Sequence, residues 1–356
     1  MAWGTGLLAA AAAGLAAVCL TGCANLGYYW QSVSGHVQLM SAARPVDDWL
    51  GDEATPAQLK ARLALSQRIR SFAVSEMHLP DNPSYRRYAD LQRRAVVWNV
   101  VAAPPLSLKL KTWCFPVTGC VSYRGYFAEA EARAEAAQLA AQGLEVSVYG
   151  VPAYSTLGWM NWAGGDPLLN TFIQYPEGEL ARLIFHELAH QVVYVKDDTE
   201  FNESFATAVE RLGGTRWLAT QAGEAARRDY AAFDMRRQQF RALALATRRQ
   251  LALIYTADPA HPTDHVTQLA LKDKAMQQFR KDYQKLKATW GGFTGYDPWV
   301  AQANNAALGA QAAYDEFVPG FEAVFSREAQ DWPRFYDAVR RLGALPKEER
   351  RKALQP

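Results

Sequence analysis

Two histidines four positions apart, His186 and His190, have the spacing that most directly predicts chemistry in this sequence. They stand in the segment LIFHELAH, which ends at His190. Residues four apart lie on one face of a helix, so both imidazoles can bind one metal ion. Glu187, one position further round, can reach a metal-bound water without binding the metal. Zn²⁺ suits such a set, because it accepts imidazole and carboxylate and lowers the pKa of bound water toward about 7.

A catalytic zinc site normally has three protein ligands and an open position for water, so a third ligand is required. Glu203 is the expected ligand, because the segment TEFNESFA around it predicts a second helix that can fold back beside the first. Only twelve residues separate it from His190. Glu210 lies seven positions further along the same face. It is expected to orient a histidine, to be the third ligand itself, or to pair on the surface with Arg211 or Arg216.

The surrounding pattern supports a helix that can hold such a site. A chance HExxH is expected in roughly one chain in a hundred of this composition, so the context matters. The alternative is that both histidines lie on an ordinary packed or solvated face. One observation argues against this alternative. The helix predicted over 177–195 carries apolar residues on one face, which would be buried while the histidines on another face line a cleft. These residues are Leu180, Ile184, Leu188 and Val192.

The rest of the chain predicts an α+β fold. Helical spacing continues through most of the second half. The first half mixes helices, expected over 55–77 and 126–142, with strand-like segments near 96–101 and 145–149. We therefore expect a helix-rich C-terminal half and a small mixed sheet in the N-terminal half. The strand 145–149 is a candidate edge along which an extended substrate could add main-chain hydrogen bonds.

The composition excludes two broad classes of protein. Of 356 residues, 49% are hydrophobic and 21% charged, which supplies a sizeable core and argues against a mainly disordered chain. The 38 Lys and Arg residues nearly balance 36 Asp and Glu, giving a net charge of +2. A nucleic-acid partner is not expected from so even a balance. The sequence predicts no oligomeric state.

The N-terminus predicts export and a lipid anchor. An apolar run over 7–20 has the length of a signal peptide and is too short for a comfortable membrane span. It leads into Leu20-Thr21-Gly22-Cys23, which resembles a bacterial lipobox in which Cys23 is acylated. An ordinary secretory signal with an incidental cysteine is the alternative, and residues 1–6 lack the usual Lys or Arg.

This interpretation sets the expected domains and location. Residues 1–22 form the signal peptide, 23–54 a tether and 55–356 a single domain. Ala at position 24, rather than Asp, implies sorting to the outer membrane, with the protein facing the periplasm. Cys114 and Cys120 flank a Pro and a Gly and are expected to form a disulfide in this oxidising compartment, with free buried thiols as the alternative.

Several long segments resemble a family of bacterial lipoproteins described as predicted aminopeptidases. The resemblance covers most of the mature chain and is carried by WNVVAAP (98–104), WCFPVTGCVSYRGYF (113–127), AYSTLGW (153–159), DPLLNT (166–171) and FHELAHQVVYVKDDTEFNESFATAVE (185–210). It implies a zincin-like fold and one Zn²⁺ per chain. The Asn-Glu context of Glu203 resembles the third-ligand helix of the gluzincins, the zincins that use glutamate.

The resemblance also implies a mechanism and a substrate. Glu187 would act as general base on the attacking water, with a peptide or protein as substrate. Zincins usually add a Tyr or His that donates to the oxyanion, and Tyr154 is the predicted donor, with Tyr194 and Tyr175 as rivals. Aminopeptidase activity needs a further group to hold the free α-ammonium. Five acidic residues are available and none can be assigned: Asp166, Glu177, Glu179, Asp197 and Asp198.

The sequence is also compatible with two alternative functions. The first is an endopeptidase of envelope proteins, which needs only an open groove. The second is a lipoprotein that binds a partner or peptidoglycan and whose metal site is structural. The presence of Glu187 counts against the second, because a closed structural site needs no carboxylate beside two ligands.

Overall fold

The computed structural model describes residues 27–115, 119–256, 264–312 and 317–355. The predicted signal peptide and Cys23 lie outside these ranges. Within them, no helix has both the length and the hydropathy needed to cross a bilayer.

The N-terminal half mixes short strands with helices. The helices are α1 (27–42), α2 (Val46–Gly51), α3 (Ala57–Ser75) and α4 (Glu129–Ala141). The strands are β1 (Arg44–Pro45), β2 (Arg87–Ala89), β3 (Val97–Ala103), β4 (Trp113–Phe115), β5 (Gly119–Val121), β6 (Arg124–Tyr126), β7 (Glu145–Val151) and β8 (Leu168–Leu169).

The C-terminal half is almost entirely helical. It comprises α5 (Glu177–Ala189), α6 (Thr199–Thr220), α7 (Glu224–Tyr255), α8 (His265–Thr289), α9 (Asp297–Gln302), α10 (Asn305–Ala312), α11 (Val318–Arg327), α12 (Trp332–Gly343) and α13 (Lys347–Leu354). The predicted α+β class and its helix-rich C-terminal half are therefore confirmed.

The strands form three small sheets. β3 is the centre of an antiparallel sheet with the order β6-β3-β7, in which Asn99 lies opposite both Gly125 and Tyr149. β2 pairs antiparallel with β1 and parallel with β8, which makes a mixed sheet. β4 and β5 form a hairpin in which Cys114 and Cys120 are directly opposite and joined by a disulfide.

The main core is built around α5. Leu180, Ile184 and Leu188 have no exposed surface, as the apolar stripe in the sequence predicts. Burying each such side chain contributes about 1.5–3 kcal/mol to stability. α5 packs most extensively against α6, its successor in the chain. A separate apolar cluster joins α7, α8 and α9, with Phe240 stacked on Tyr296 at a ring distance of 4.1 Å.

Two segments differ from the expected boundaries. α5 ends at Ala189, six residues before the predicted end, because the chain turns back through 190–198 to start α6. The described part of the tether predicted over 23–54, residues 27–54, contains α1, β1 and α2. Leu39 and Val46 from this segment are buried in the main core.

Candidate metal centre

Three side chains converge where α5 and α6 face each other. Nε2 of His186 lies 3.2 Å from Nε2 of His190 and 3.3 Å from Oε2 of Glu203. The third side of this triangle, from His190 Nε2 to Glu203 Oε2, measures 3.7 Å. The structure thus brings together the three residues that the sequence predicted as ligands.

The triangle fits a tetrahedral metal ion. Zinc bonds of roughly 2.0–2.2 Å at tetrahedral angles place ligand atoms about 3.4 Å apart. The three observed separations lie on both sides of this value. Of the residues that the structure describes, His186, His190 and Glu203 form the group of His, Cys, Asp or Glu side chains that could hold a metal ion.

Glu210 orients His186 by contacting the ring nitrogen that lies away from the other two ligands. Its Oε2 lies 3.1 Å from Nδ1 of His186, so the opposite ring nitrogen faces His190 and Glu203. The other oxygen of Glu210 accepts from the guanidinium of Arg182, whose side chain is only 4% exposed. Of the roles predicted for Glu210, the orienting one fits these contacts, since its carboxylate faces away from the triangle.

α5 and α6 lie close enough for this contact because α6 carries Gly214. A Cβ atom there would lie 2.7 Å from Cγ of Arg182, closer than real Cβ atoms approach other atoms. Arg182 stands one helical turn before His186 on α5. The sequence analysis did not predict this role, although the four-residue spacing places both side chains on one face.

The first turn of α6 is fixed on both sides of Glu203. Asp198 caps the helix by accepting from the backbone N–H of Phe201, and its carboxylate forms a buried ion pair of 2.8 Å with Arg350. The Asn202 side chain donates to the carbonyl of Val195 and accepts from the N–H of the same residue, both over 2.7 Å. These contacts explain how a connection this short presents Glu203 to the histidines.

The disulfide hairpin also docks on this connection. The backbone N–H of Cys120 donates to Oδ1 of Asp197 over 2.6 Å. Asp197 has a φ of 65°, in the left-handed region, which tightens the turn before α6. The hairpin therefore stabilises the conformation of the segment that positions Glu203.

Burial and neighbouring charges shift the pKa values of the three ligand side chains in different directions. Burial alone would lower the pKa of His186, but hydrogen bonds to Glu203 and Glu210 raise it well above its usual value. Burial lowers the pKa of His190 to about 4, so this ring is neutral at pH 7 and offers a lone pair. Burial opposes ionisation of Glu203, yet His190 and His186 hold its pKa below the usual range.

Glu187 lies beside the ligands in the same cleft. Burial raises its pKa to about 7, an effect that His186 opposes and Glu203 reinforces. A carboxylate with a pKa near the working pH can both take up and release a proton. This is the property expected of a general base that later acts as an acid.

The cleft has a volume of about 610 Å³ and mostly apolar walls. α1, the hairpin and the segment after β7 supply aromatic and aliphatic side chains, and α5 and α6 supply the ligands. Six of the apolar lining residues are Tyr28, Phe115, Phe127, Tyr154, Leu157 and Leu183.

Three tyrosines in the cleft differ in what surrounds them. Tyr123 and Tyr194 line the same cleft as Glu203, and burial, followed by the charge of Glu203, raises the pKa of both. Glu187 also acts on Tyr123. Tyr154, the predicted oxyanion donor, lies in the cleft wall, and the carboxylate that acts most on its pKa is Asp166.

Packing explains the position of Tyr154. Its ring lies 5.4 Å from that of Phe127 and 5.7 Å from that of His36 on α1. Tyr175 is 36% exposed, and its carbonyl accepts from Arg62 outside the cleft lining. Tyr123 was not considered from the sequence; its place directly after the hairpin was the available signal.

The five acidic residues that the sequence offered for holding a free amine all have polar partners within the fold. These are Asp166, Glu177, Glu179, Asp197 and Asp198. Their contacts are structural ones, to side chains or backbone of neighbouring elements.

Comparison with known proteins identifies the family. No curated protein and no solved structure matches the chain. A family model does match, and it covers residues 27–354, which include both helices of the metal centre. The chain therefore belongs to the family described as "Putative aminopeptidase".

Proposed function

We propose that this chain is a zinc-dependent peptidase with a zincin-like site, and specifically an aminopeptidase. The observation that carries the proposal is the triangle of His186, His190 and Glu203 with Glu187 beside it in an open cleft. Two imidazoles and one carboxylate are a donor set that Zn²⁺ prefers. The family description supports peptidase chemistry at such a site.

The residues of the chain have distinct roles in this proposal. Bound Zn²⁺ would polarise the peptide carbonyl and make water more acidic. Glu187 accepts a proton from the water whose oxygen attacks the carbonyl carbon. It then delivers that proton to the peptide nitrogen as the C–N bond breaks, and the carboxylic acid formed passes its own proton to the amine, so the products are a carboxylate and an ammonium ion. Glu210 and Arg182 keep the ring of His186 in the required orientation.

A tyrosine supplies a hydrogen bond to the developing oxyanion. Tyr123 is our first candidate, because it lines the same cleft as Glu187 and Glu203 and is buried there. Its raised pKa keeps the hydroxyl protonated, and therefore a donor, at neutral pH. Tyr194 is the second candidate, since it lines the same cleft near Glu203.

The cleft walls favour peptides with apolar or aromatic side chains next to the scissile bond. Contacts with residues such as Phe115, Phe127 and Leu183 would remove apolar substrate surface from water. Charged side chains would lose hydration there without gaining an ionic partner from these residues.

Digestion of a peptide library, followed by mass spectrometry, tests the proposed activity. Each peptide is supplied with a free and with an acetylated N-terminus. Stepwise trimming of the free peptides alone would support an aminopeptidase, whereas internal cuts in both would indicate an endopeptidase. Glu187→Gln is the control for contaminating peptidases. If the wild type and this variant cleave equally, or neither cleaves, the enzymatic proposal is wrong.

We also propose that the protein is anchored to the outer membrane by acylation of Cys23 and faces the periplasm. The support is the sequence Leu20-Thr21-Gly22-Cys23 after an apolar run. The disulfide between Cys114 and Cys120 agrees with an oxidising compartment. Metabolic labelling with a fatty acid tests the anchor, with Cys23→Ser as the control that must lose the label.

A further inference from the structure

The first helix leaves an apolar stripe uncovered. Trp30, Val33 and Val37 are 73%, 58% and 58% exposed, and their spacing of three and four residues places them on one face of α1. Residues 24–43 include no Asp, Glu, Lys or Arg. An uncharged helix with an outward apolar face is unusual on a surface that contacts only water.

The orientation of this helix is fixed by its inner face. Gln31 donates to the carbonyl of Gly125 and accepts from the N–H of Phe127, at 3.3 and 3.0 Å. Leu39 is buried in the main core. The apolar stripe therefore cannot turn inward without breaking these contacts.

A second exposed apolar element lies in the segment after β7. Trp159 and Trp162 are 67% and 83% exposed. The loop that carries them is well ordered by hydrogen bonds, since Thr156 donates twice to Asp166 and Asn161 accepts from Ser84. The fold thus keeps these two large apolar side chains exposed to solvent and does not pack them against the rest of the protein.

Arg87 links the loop to α1. Its guanidinium donates to the carbonyls of Met40 and Ala43 at the end of the helix. The same guanidinium lies against Gly164, where a Cβ would be 2.8 Å away from it. Gly164 is two residues after Trp162, so Arg87 connects the exposed loop to the C-terminal end of the exposed helix.

The chain length before α1 indicates what covers this surface. Gly27 stands four residues after Cys23, and four residues span at most about 14 Å. With acyl chains on Cys23, the start of α1 would lie within that distance of the bilayer surface. Tryptophan favours the boundary between headgroups and acyl chains, where its apolar ring and its N–H both find partners.

We propose that Trp30, Val33, Val37, Trp159 and Trp162, together the tryptophan face, dock on a phospholipid bilayer at this boundary. The inference rests on the proposed anchor at Cys23 and is independent of peptidase activity. Docking would add apolar contact to the acyl chains, as an interfacial helix does, and would fix the orientation of the domain on the membrane.

Quenching of tryptophan fluorescence by brominated lipids tests the proposal. The acylated protein, which begins at Cys23, is reconstituted into vesicles of phosphatidylethanolamine and phosphatidylglycerol with brominated acyl chains. Three of the ten tryptophans from Cys23 onward belong to the tryptophan face, so we expect up to about a third of the emission to be quenched. The triple variant Trp30→Ser, Trp159→Ser, Trp162→Ser should lose this quenching while still floating with the vesicles.

A matched control distinguishes docking through the tryptophan face from nonspecific adsorption of other exposed apolar residues to the vesicles. Leu253 and Val266 are each 77% exposed on α7 and α8, so Leu253→Ser with Val266→Ser should leave quenching unchanged. Absence of quenching in floating wild-type protein would overturn the docking alone. Equal quenching in the triple variant would do the same. Failure of the wild type to float would overturn the anchor, and with it this inference.

Discussion

His186 donates from Nδ1 to a carboxylate oxygen of Glu210 over 3.1 Å, while Nε2 of the same ring faces Glu203. Arg182 and His186 together hold the pKa of Glu210 at about 2 against the effect of burial, so its carboxylate is ionised and must be the acceptor. This contact sets both the tautomer and the direction of the ring.

Glu210→Gln should therefore weaken metal binding. Loss of a partner that orients a metal-binding histidine typically costs 10–100-fold in affinity, and we expect a loss in this range. Competition with a chromogenic chelator measures it. Glu200→Gln, in the first turn of the same helix, is the control and should change the affinity little. Equal affinities for Glu210→Gln and the wild type would contradict the orienting role.

Glu187→Gln should keep the metal and lose activity. The amide has nearly the same shape but cannot take a proton from water, so we expect turnover to fall by about 10²–10⁴-fold. Steady-state kinetics on the best library peptide and elemental analysis of the same sample measure both properties. Loss of metal together with activity would instead indicate that Glu187 is a ligand.

Tyr123→Phe and Tyr154→Phe should differ strongly in their effect on kcat. Removing one oxyanion donor typically lowers kcat by about 10²–10³-fold, which we expect for Tyr123→Phe with little change in metal content. Tyr154→Phe should stay within a few-fold of the wild type, because its ring packs in the cleft wall against Phe127 and His36. The reverse order of effects would support the donor predicted from the sequence.

Asp166 should make stability depend on pH. Burial raises its pKa to about 6 from an ordinary value of 3.8, so the protonated form is favoured in the folded state. Its contribution is present below pH 3.8 and is lost as pH rises through about 6. The lost free energy of unfolding is about 3 kcal/mol.

Asp166→Asn tests this dependence because the amide resembles the protonated acid. The stability of the wild type relative to the variant should fall by about 2 kcal/mol between pH 4 and pH 7. Urea unfolding of both proteins, without metal, measures the difference, and other titrating groups cancel between them. Parallel stability curves would show that Asp166 is not the responsible group.

The sequence predicted the centre of the site because its signals are local. The four-residue spacing of His186 and His190 defines a helix face, and the segment TEFNESFA predicts the helix that carries Glu203. The apolar stripe on α5 predicted which side is buried. Each of these features depends on neighbours along the chain.

Contacts between distant segments could not be predicted in the same way. Tyr123 comes to the site through the hairpin, whose docking depends on a hydrogen bond from Cys120 to Asp197, 77 residues away. The early end of α5 likewise depends on Asn202 in the next helix. The exposed stripe of α1 could be recognised only once the opposite face was seen to be packed.

Metal content tests the central claim most directly. We predict about one zinc ion per chain by elemental analysis of protein purified without chelators, and much less in His186→Ala and Glu203→Ala, with His265→Ala at the exposed start of α8 as the unaffected control. Folded wild-type protein that takes up no zinc, or variants at His186 and Glu203 that bind it as tightly as the wild type, would contradict the account.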